Sequence, residues 1–235
     1  PRDVQSKISS IINDCLEPGI FVIEAPMGLG KTEIALVAVE QLNAKTSRSG
    51  MFFGLPTQAT SNGIFPRITD WLSKLSITDN QSKQIQLVHG KSYLSKEFSN
   101  LKYITKRSVN QDEDDSVIVN DWFAGRKTAI LDDFVVGTVD HFLMSSLKQP
   151  HLALRHLGLS KKVIVIDEVH AYDAYMSQYL NQSVRWMGAY GVTVVILSAT
   201  LPISRRNELI KNYVAGQGYH FKREIIRPED WDYNE

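Results

Sequence analysis

The chain has 235 residues, 43% of them hydrophobic, enough for one large core or two small ones. Its 26 lysines and arginines balance 26 aspartates and glutamates. No overall basic excess draws in nucleic acid, so any such partner must be held by a local surface. The single cysteine excludes an internal disulfide. With no run of eighteen apolar residues and no signal peptide, the expectation is a soluble protein of the reducing cytoplasm, with no membrane partner.

In chain order, Val4, Ile8, Ile11, Ile12 and Leu16 recur at helical spacing and predict an amphipathic helix. Cys15 falls on that apolar face and is expected as a buried structural thiol rather than a nucleophile. The apolar run at 20–25 predicts a strand, and "EAPMGLGKTE" (24–33) follows directly. A loop that wraps phosphates with its backbone N–H groups needs glycine where the chain comes close or takes positive φ, and Gly28 and Gly30 supply it. Pro26, Met27 and Leu29 complete the loop. Lys31 can then reach the β/γ-phosphates of ATP, and the Thr32 hydroxyl can ligate Mg²⁺ at the start of a helix, where the dipole favours anions. The usual loop pattern begins with glycine, and here Ala25 stands in that place. Alone, the stretch favours phosphate binding, with a strand, turn and helix that happens to contain glycines as the alternative.

Further apolar strands are expected at 51–55, 84–88, 134–138, 163–168 and 192–198, with helices at 31–44, 59–75, 139–147 and 174–190. Near-continuous apolar strands such as "KVIVIDE" and "TVVILSA" suit a mostly parallel sheet covered on both faces. The alternation of strand and helix predicts a doubly wound α/β fold, with ligands at the carboxyl ends of the strands. Periodicity fades between about 95 and 125, where "NQDEDD" (110–115) predicts a solvated loop insertion.

"VIVIDEVHAYD" (163–173) ends a buried strand on two adjacent carboxylates. Unpaired charge near a core is expensive, and nucleotide hydrolysis gives it a purpose. One acid holds Mg²⁺ beside the phosphate loop and a second polarises the attacking water. Asp167 is assigned to the metal, through its water shell, and Glu168 to the water. The two features explain each other, so the glycine loop is taken as a phosphate loop.

An A-x-x-G-x-G-K-T loop with Asp-Glu-Val-His resembles the superfamily-two helicases, in which alanine commonly opens the loop. "PTQATSN" (56–62) resembles motif Ia, "VGTVD" (136–140) motif Ib and "SAT" (198–200) motif III, in the family's order. Gln5 takes the place of the glutamine that reads adenine. The wording of 121–144, 154–180 and 194–202 further resembles the helicase part of the type I CRISPR-associated helicase–nucleases. That resemblance implies a RecA-like P-loop NTPase lobe over residues 1–214, with 215–235 a linker or the start of a second lobe. It also implies a motor driven by ATP and Mg²⁺ along single-stranded DNA, unwinding a target opened by an RNA-guided surveillance complex.

Thr57, Gln58, Thr60, Asn62, Gly137 and Thr138 are then expected to contact DNA phosphates without reading sequence. Ordinary turn and helix-cap chemistry is the alternative for each. Ser198 and Thr200 are expected to bond Asp167 or His170 and relay nucleotide state, with a helix cap the alternative for Thr200. His170 is expected to couple the ATP site to motif III rather than to bind metal. The family's nuclease domain carries a His-Asp pair, and this sequence has no such dipeptide. Nothing after Thr200 resembles the arginine-finger motif of a second RecA-like lobe. The expectation is one lobe of a two-lobed motor, nearly inactive alone. An RNA helicase lobe and a non-motor, nucleotide-dependent binding module are the rival readings.

Overall fold

The strands at 51–55, 163–166 and 194–198 are buried along their whole length and almost wholly apolar because helices cover both faces of the sheet. The computed structural model describes residues 3–26, 28–79, 83–88, 99, 117–118, 128–148 and 150–218. The strands are β1 (Ile20–Glu24), β2 (Met51–Leu55), β3 (Lys83–Val88), β4 (Val117–Ile118), β5 (Phe134–Thr138), β6 (Val163–Ile166) and β7 (Val194–Ser198). They form one seven-stranded sheet in the order β1-β7-β6-β2-β5-β3-β4. All the pairings are parallel, and the two-residue β4 only edges β3.

The helices are α1 (Asp3–Asp14), α2 (Lys31–Thr46), α3 (Gln58–Asp79), α4 (Asp140–Leu143), α5 (Leu152–Ser160), α6 (Ala174–Ala189) and α7 (Ile203–Gly216). Alternate strand residues feed two cores. Phe53, Val165 and Leu197 pack with α1, α2 and α3, whereas Phe52, Ile164 and Ile196 pack with α4 to α7. The doubly wound expectation holds. No helix among the described residues is long and apolar enough to cross a membrane.

Several boundaries differ from expectation. Helix α1 stops at Asp14, short of the Pro18-Gly19 turn, so Cys15 lies past it and is only half-buried. Leu16 is 94% exposed, and of the helix's own residues Ile12 alone is fully buried. The expected face of Val4, Ile11 and Leu16 is therefore largely solvent-facing. Most of 95–125 lies outside the described residues, but Val117–Ile118 forms strand β4 within the expected loop. Helices α5 and α7 were not anticipated. Helix α7 runs to Gly216, past the expected domain limit at 214, and residues 219–235 lie outside the described residues.

Helix α7 has few apolar anchors, with Leu209 and Tyr213 the buried residues. Its place depends on close approach to α6 through two glycines. A Cβ on Gly188 would run into the Tyr213 carbonyl, and one on Gly216 into the Arg185 carbonyl. Both obstacles are backbone and cannot swing aside. We therefore expect Gly188→Ala to destabilise the fold by about 2 kcal/mol, the overpacking strain outweighing the better helix propensity of alanine. Urea denaturation measures it, and unchanged stability would contradict this packing.

Candidate functional site

Strands β1, β7 and β6 lie side by side, and their carboxyl ends supply most of the site. After β1 the chain turns through Ala25, which is 2% exposed and donates its N–H to the Ser198 carbonyl at 3.1 Å. The buried methyl fits, so glycine is not required where the loop pattern usually has it. Among the described residues of this loop, positive φ falls on Gly28 (80°) and Gly30 (78°), and Gly30 caps α2. The two glycines thus carry the conformations that the sequence assigned to them.

Lys31 opens α2 and is 8% exposed. Its amine makes no hydrogen bond among the described residues and lies 3.7 Å from Glu168 Oε1. The Asp-Glu pair sits just past β6, which ends at Ile166 rather than at 168. Asp167 is anchored by its N–H to the Gly54 carbonyl (2.9 Å), and its carbonyl accepts from the Tyr172 hydroxyl (2.9 Å). Its Oδ1 accepts the Glu168 N–H at 2.8 Å. Burial pushes the Asp167 carboxyl up to about 6, and the Glu168 charge adds to the rise. The bond from the Glu168 N–H and the charges of Lys31 and His170 oppose it. Glu168 has φ 55°, a left-handed conformation unfavourable for a residue with a Cβ.

From Glu168 a chain of polar contacts runs to β7. His170 Nε2 lies 3.0 Å from Glu168 Oε2, and Nδ1 faces Ser198 Oγ at 3.1 Å. The Ser198 hydroxyl donates to the Thr200 carbonyl at 2.9 Å. Gln5, Gly28, Gly30, Lys31, Thr32, Glu33, Arg67, Asp167 and Glu168 line one cleft of about 460 Å³. A buried cation beside two carboxylates and a glycine loop that exposes its backbone can receive a polyphosphate with a divalent cation.

A model of the DEAD/DEAH box helicase family matches residues 3–209. The chain belongs to the DEAD/DEAH box helicase family. It is similar to the CRISPR-associated nuclease/helicase Cas3 of Streptococcus thermophilus, 59% identical over 222 residues, which cover 94% of this chain and 24% of that protein. A crystal structure of T. fusca Cas3 with ADP superposes with a TM-score of 0.81 at 35% identity, over 96% of this chain and 24% of that one. A chain of a CRISPR RNA-guided surveillance complex before nicking superposes at 0.69 and 33% identity, over 97% and 22%. The fold is the RecA-like lobe of those structures, and the chain spans about a quarter of the length of the curated relatives it matches.

Within this DEAD/DEAH box domain, the structure brings together Gln5, Gly28, Gly30, Lys31, Thr32, Asp167, Glu168, His170 and Ser198. Gln5 donates to the Leu29 carbonyl at 3.4 Å, so its amide rests on the loop. Pro26 is exposed at the loop's start, and Met27 lies outside the described residues. Thr200 differs from expectation. It takes part through its carbonyl, its side chain is exposed, and Pro202 rather than Thr200 caps α7.

The expected DNA contacts divide. Thr57 and Thr60 cap α3 reciprocally, each hydroxyl accepting the other's N–H at 3.2 Å, which is the helix-cap alternative. Gln58 is exposed and Asn62 half-buried. Gly137 and Thr138 are buried at the end of β5. A Cβ on Gly137 would meet the Val88 carbonyl, so sheet packing accounts for that glycine.

Three cleft-side residues were missed. Glu24 accepts from the Leu201 N–H and from Arg206, each at 3.2 Å, and joins the loop to the segment after β7. Glu33 and Arg67 form an ion pair at the cleft mouth. Each looks in sequence like an ordinary charge on a strand end or helix face, and no local pattern distinguishes it.

Asp167 is an acid raised in the folded chain from 3.8 to about 6. Between those values the folded state holds more proton than the unfolded, so stability falls as pH rises through the window and stays lower above it. Asp167→Asn keeps the Oδ1 acceptor and removes the charge. It should stabilise the chain at pH 7.5 by up to about 3 kcal/mol, an advantage gone by about pH 4. Melting curves of both proteins across that range measure it, and equal melting temperatures at pH 7.5 would refute it.

Proposed function

We propose that this chain is the ATP-binding, first RecA-like lobe of an ATP-dependent motor that translocates on single-stranded DNA in CRISPR antiviral defence. The observation that carries the reading is the Lys31 amine, buried without a hydrogen-bond partner and facing Glu168 at 3.7 Å across the cleft. A buried ammonium in this state suits an anionic ligand. The similarity to Cas3 with ADP supports a nucleotide as that anion. The similarity to a chain of the surveillance complex supports an RNA-guided complex as partner, with a second lobe and a nuclease domain supplied by the rest of such a protein.

Each cleft residue then has a definite task. Backbone N–H groups from Gly28 to Thr32 wrap the phosphates, and Lys31 leaves Glu168 for the β/γ-phosphates. Thr32 and Asp167 would hold Mg²⁺, which needs only one or two protein oxygens besides phosphate and water and fits this donor set. When bound, Mg²⁺ neutralises charge on the phosphates. Glu168, freed of Lys31, orients the attacking water, and His170 passes the change to Ser198 and β7. Exposed Gln58 and the capped turn of Thr57 and Thr60 offer a place for the DNA backbone at the end of β2.

Two substitutions separate these tasks in the complete motor. Lys31→Ala should abolish turnover and weaken ATP binding by about one to two orders of magnitude, without unfolding the domain. Glu168→Gln should still bind ATP with Mg²⁺ but hydrolyse it poorly, leaving a trapped complex. Steady-state ATPase rates and nucleotide-binding calorimetry distinguish them. Near-normal turnover in Glu168→Gln would remove Glu168 from the water-orienting role.

The chain by itself should bind ATP weakly, hydrolyse almost none and unwind nothing. An arginine finger from a second lobe contributes on the order of 10³ to 10⁵ in rate, and a cleft open on one side leaves the phosphates wet. Adding the second lobe should restore turnover stimulated by single-stranded DNA, with DNA competing better than RNA. Robust ATPase activity of the chain alone, abolished by Lys31→Ala, would overturn the half-motor reading and keep the nucleotide site.

A further inference from the structure

Six of the residues that line the cleft belong to the phosphate loop or the Asp-Glu pair, and the other three are Gln5, Glu33 and Arg67. These three gather at Gly30. A Cβ placed there would stand 2.5 Å from Gln5 Nε2 and 3.0 Å from Glu33 Oε2. Glu33 comes from the first turn of α2, and Arg67 reaches it from α3, so two helices meet at the cleft mouth. The inner end of the cleft, with Lys31 and the two carboxylates, is built for phosphate and metal. The outer end is what remains for the rest of the nucleotide.

We propose that Arg67, held by Glu33, contacts the nucleoside of the bound nucleotide and sets nucleotide affinity at that end. The proposal rests on the cleft being the ATP site. Charge argues for the nucleoside over the phosphates. Glu33 alone, two residues from Lys31, would repel a polyphosphate, and its pairing with Arg67 leaves the outer end close to neutral. A neutral, polar end suits a base and a ribose. A guanidinium is planar and stacks on an aromatic ring, and a carboxylate partner fixes its orientation. Glu33 Oε1 takes the guanidinium, while Oε2 turns to Gly30, where a ribose hydroxyl can donate to it. As a stability device the pair has little to offer, because both side chains are about half exposed.

The test compares ADP with inorganic tripolyphosphate, which has the phosphates and no nucleoside, by calorimetry on this chain and its Arg67→Ala and Arg67→Lys variants. Arg67→Ala leaves Glu33 unpaired and so costs both ligands some affinity, but it should weaken ADP binding about tenfold more than tripolyphosphate binding. Arg67→Lys, which restores charge without the plane, should not recover ADP affinity. Equal losses for both ligands would make Arg67 a phosphate cation, and no loss for either would make the pair a surface contact only; each overturns the proposal. Lys31→Ala serves as the control and should weaken both ligands. If it weakens neither, the nucleotide-site reading itself fails, whatever Arg67 does.

Discussion

The Lys31 ammonium is buried between the phosphate loop and the Asp-Glu pair, with Glu168 its one ion-pair partner, at 3.7 Å, among the described residues. The rest of the site is arranged around that unmet demand. Strands β1 and β6 bring the two halves together, and β7 between them ties each to the other. Ala25 bonds Ser198 on one side, and His170 faces the same serine on the other. On the proposed reading, an incoming anion would replace Glu168 as partner of Lys31 and free that carboxylate in the same event. Binding and release of the proposed water-orienting group would then be one rearrangement.

The arrangement is costly, and the costs fall where the chemistry is. Asp167 is 7% exposed and held above its ordinary acid range by burial, so its charge at neutral pH works against the fold. Glu168 sits in a left-handed conformation that costs on the order of 1–3 kcal/mol. The surroundings hold both in place. The Gly54 carbonyl fixes the Asp167 backbone, and Tyr172 closes the turn. A bound cation would give the Asp167 charge a partner, so the apo lobe carries a debt that its ligand relieves.

On the opposite side of the sheet the constraints are steric. Gly137 admits the Val88 carbonyl, and Gly188 and Gly216 let α6 and α7 touch backbone to backbone. Helix α7 carries Arg206 to Glu24 at the base of the phosphate loop. Close helix packing on that face is therefore connected, through one ion pair, to the nucleotide end of β1.

Much of this was legible in the sequence, because the relevant physics is local. Strand positions followed from apolar runs, the loop from its glycines, and the acid pair from charge at the end of a buried strand. The contact between His170 and Ser198 followed from the resemblance to the helicase family. What the sequence left open was whatever depends on the surroundings a residue meets in the fold. Thr57, Thr60, Gly137 and Thr138 have residue types that suit both phosphate contact and structural service. The sequence offered a helix cap for Thr57 and Thr60 without deciding for it, and it could not say that the Val88 carbonyl fills the space beside Gly137. The apolar face of α1 was overestimated because the spacing of Val4, Ile11 and Leu16 says nothing about whether a partner covers it. Arg67 and Glu33 lie 34 positions apart and meet only because α2 and α3 pack on one face of the sheet. Composition and spacing determined which strands form and which chemistry they carry. Tertiary packing decided which side chains reach the cleft, because that depends on contacts between elements that no local pattern encodes.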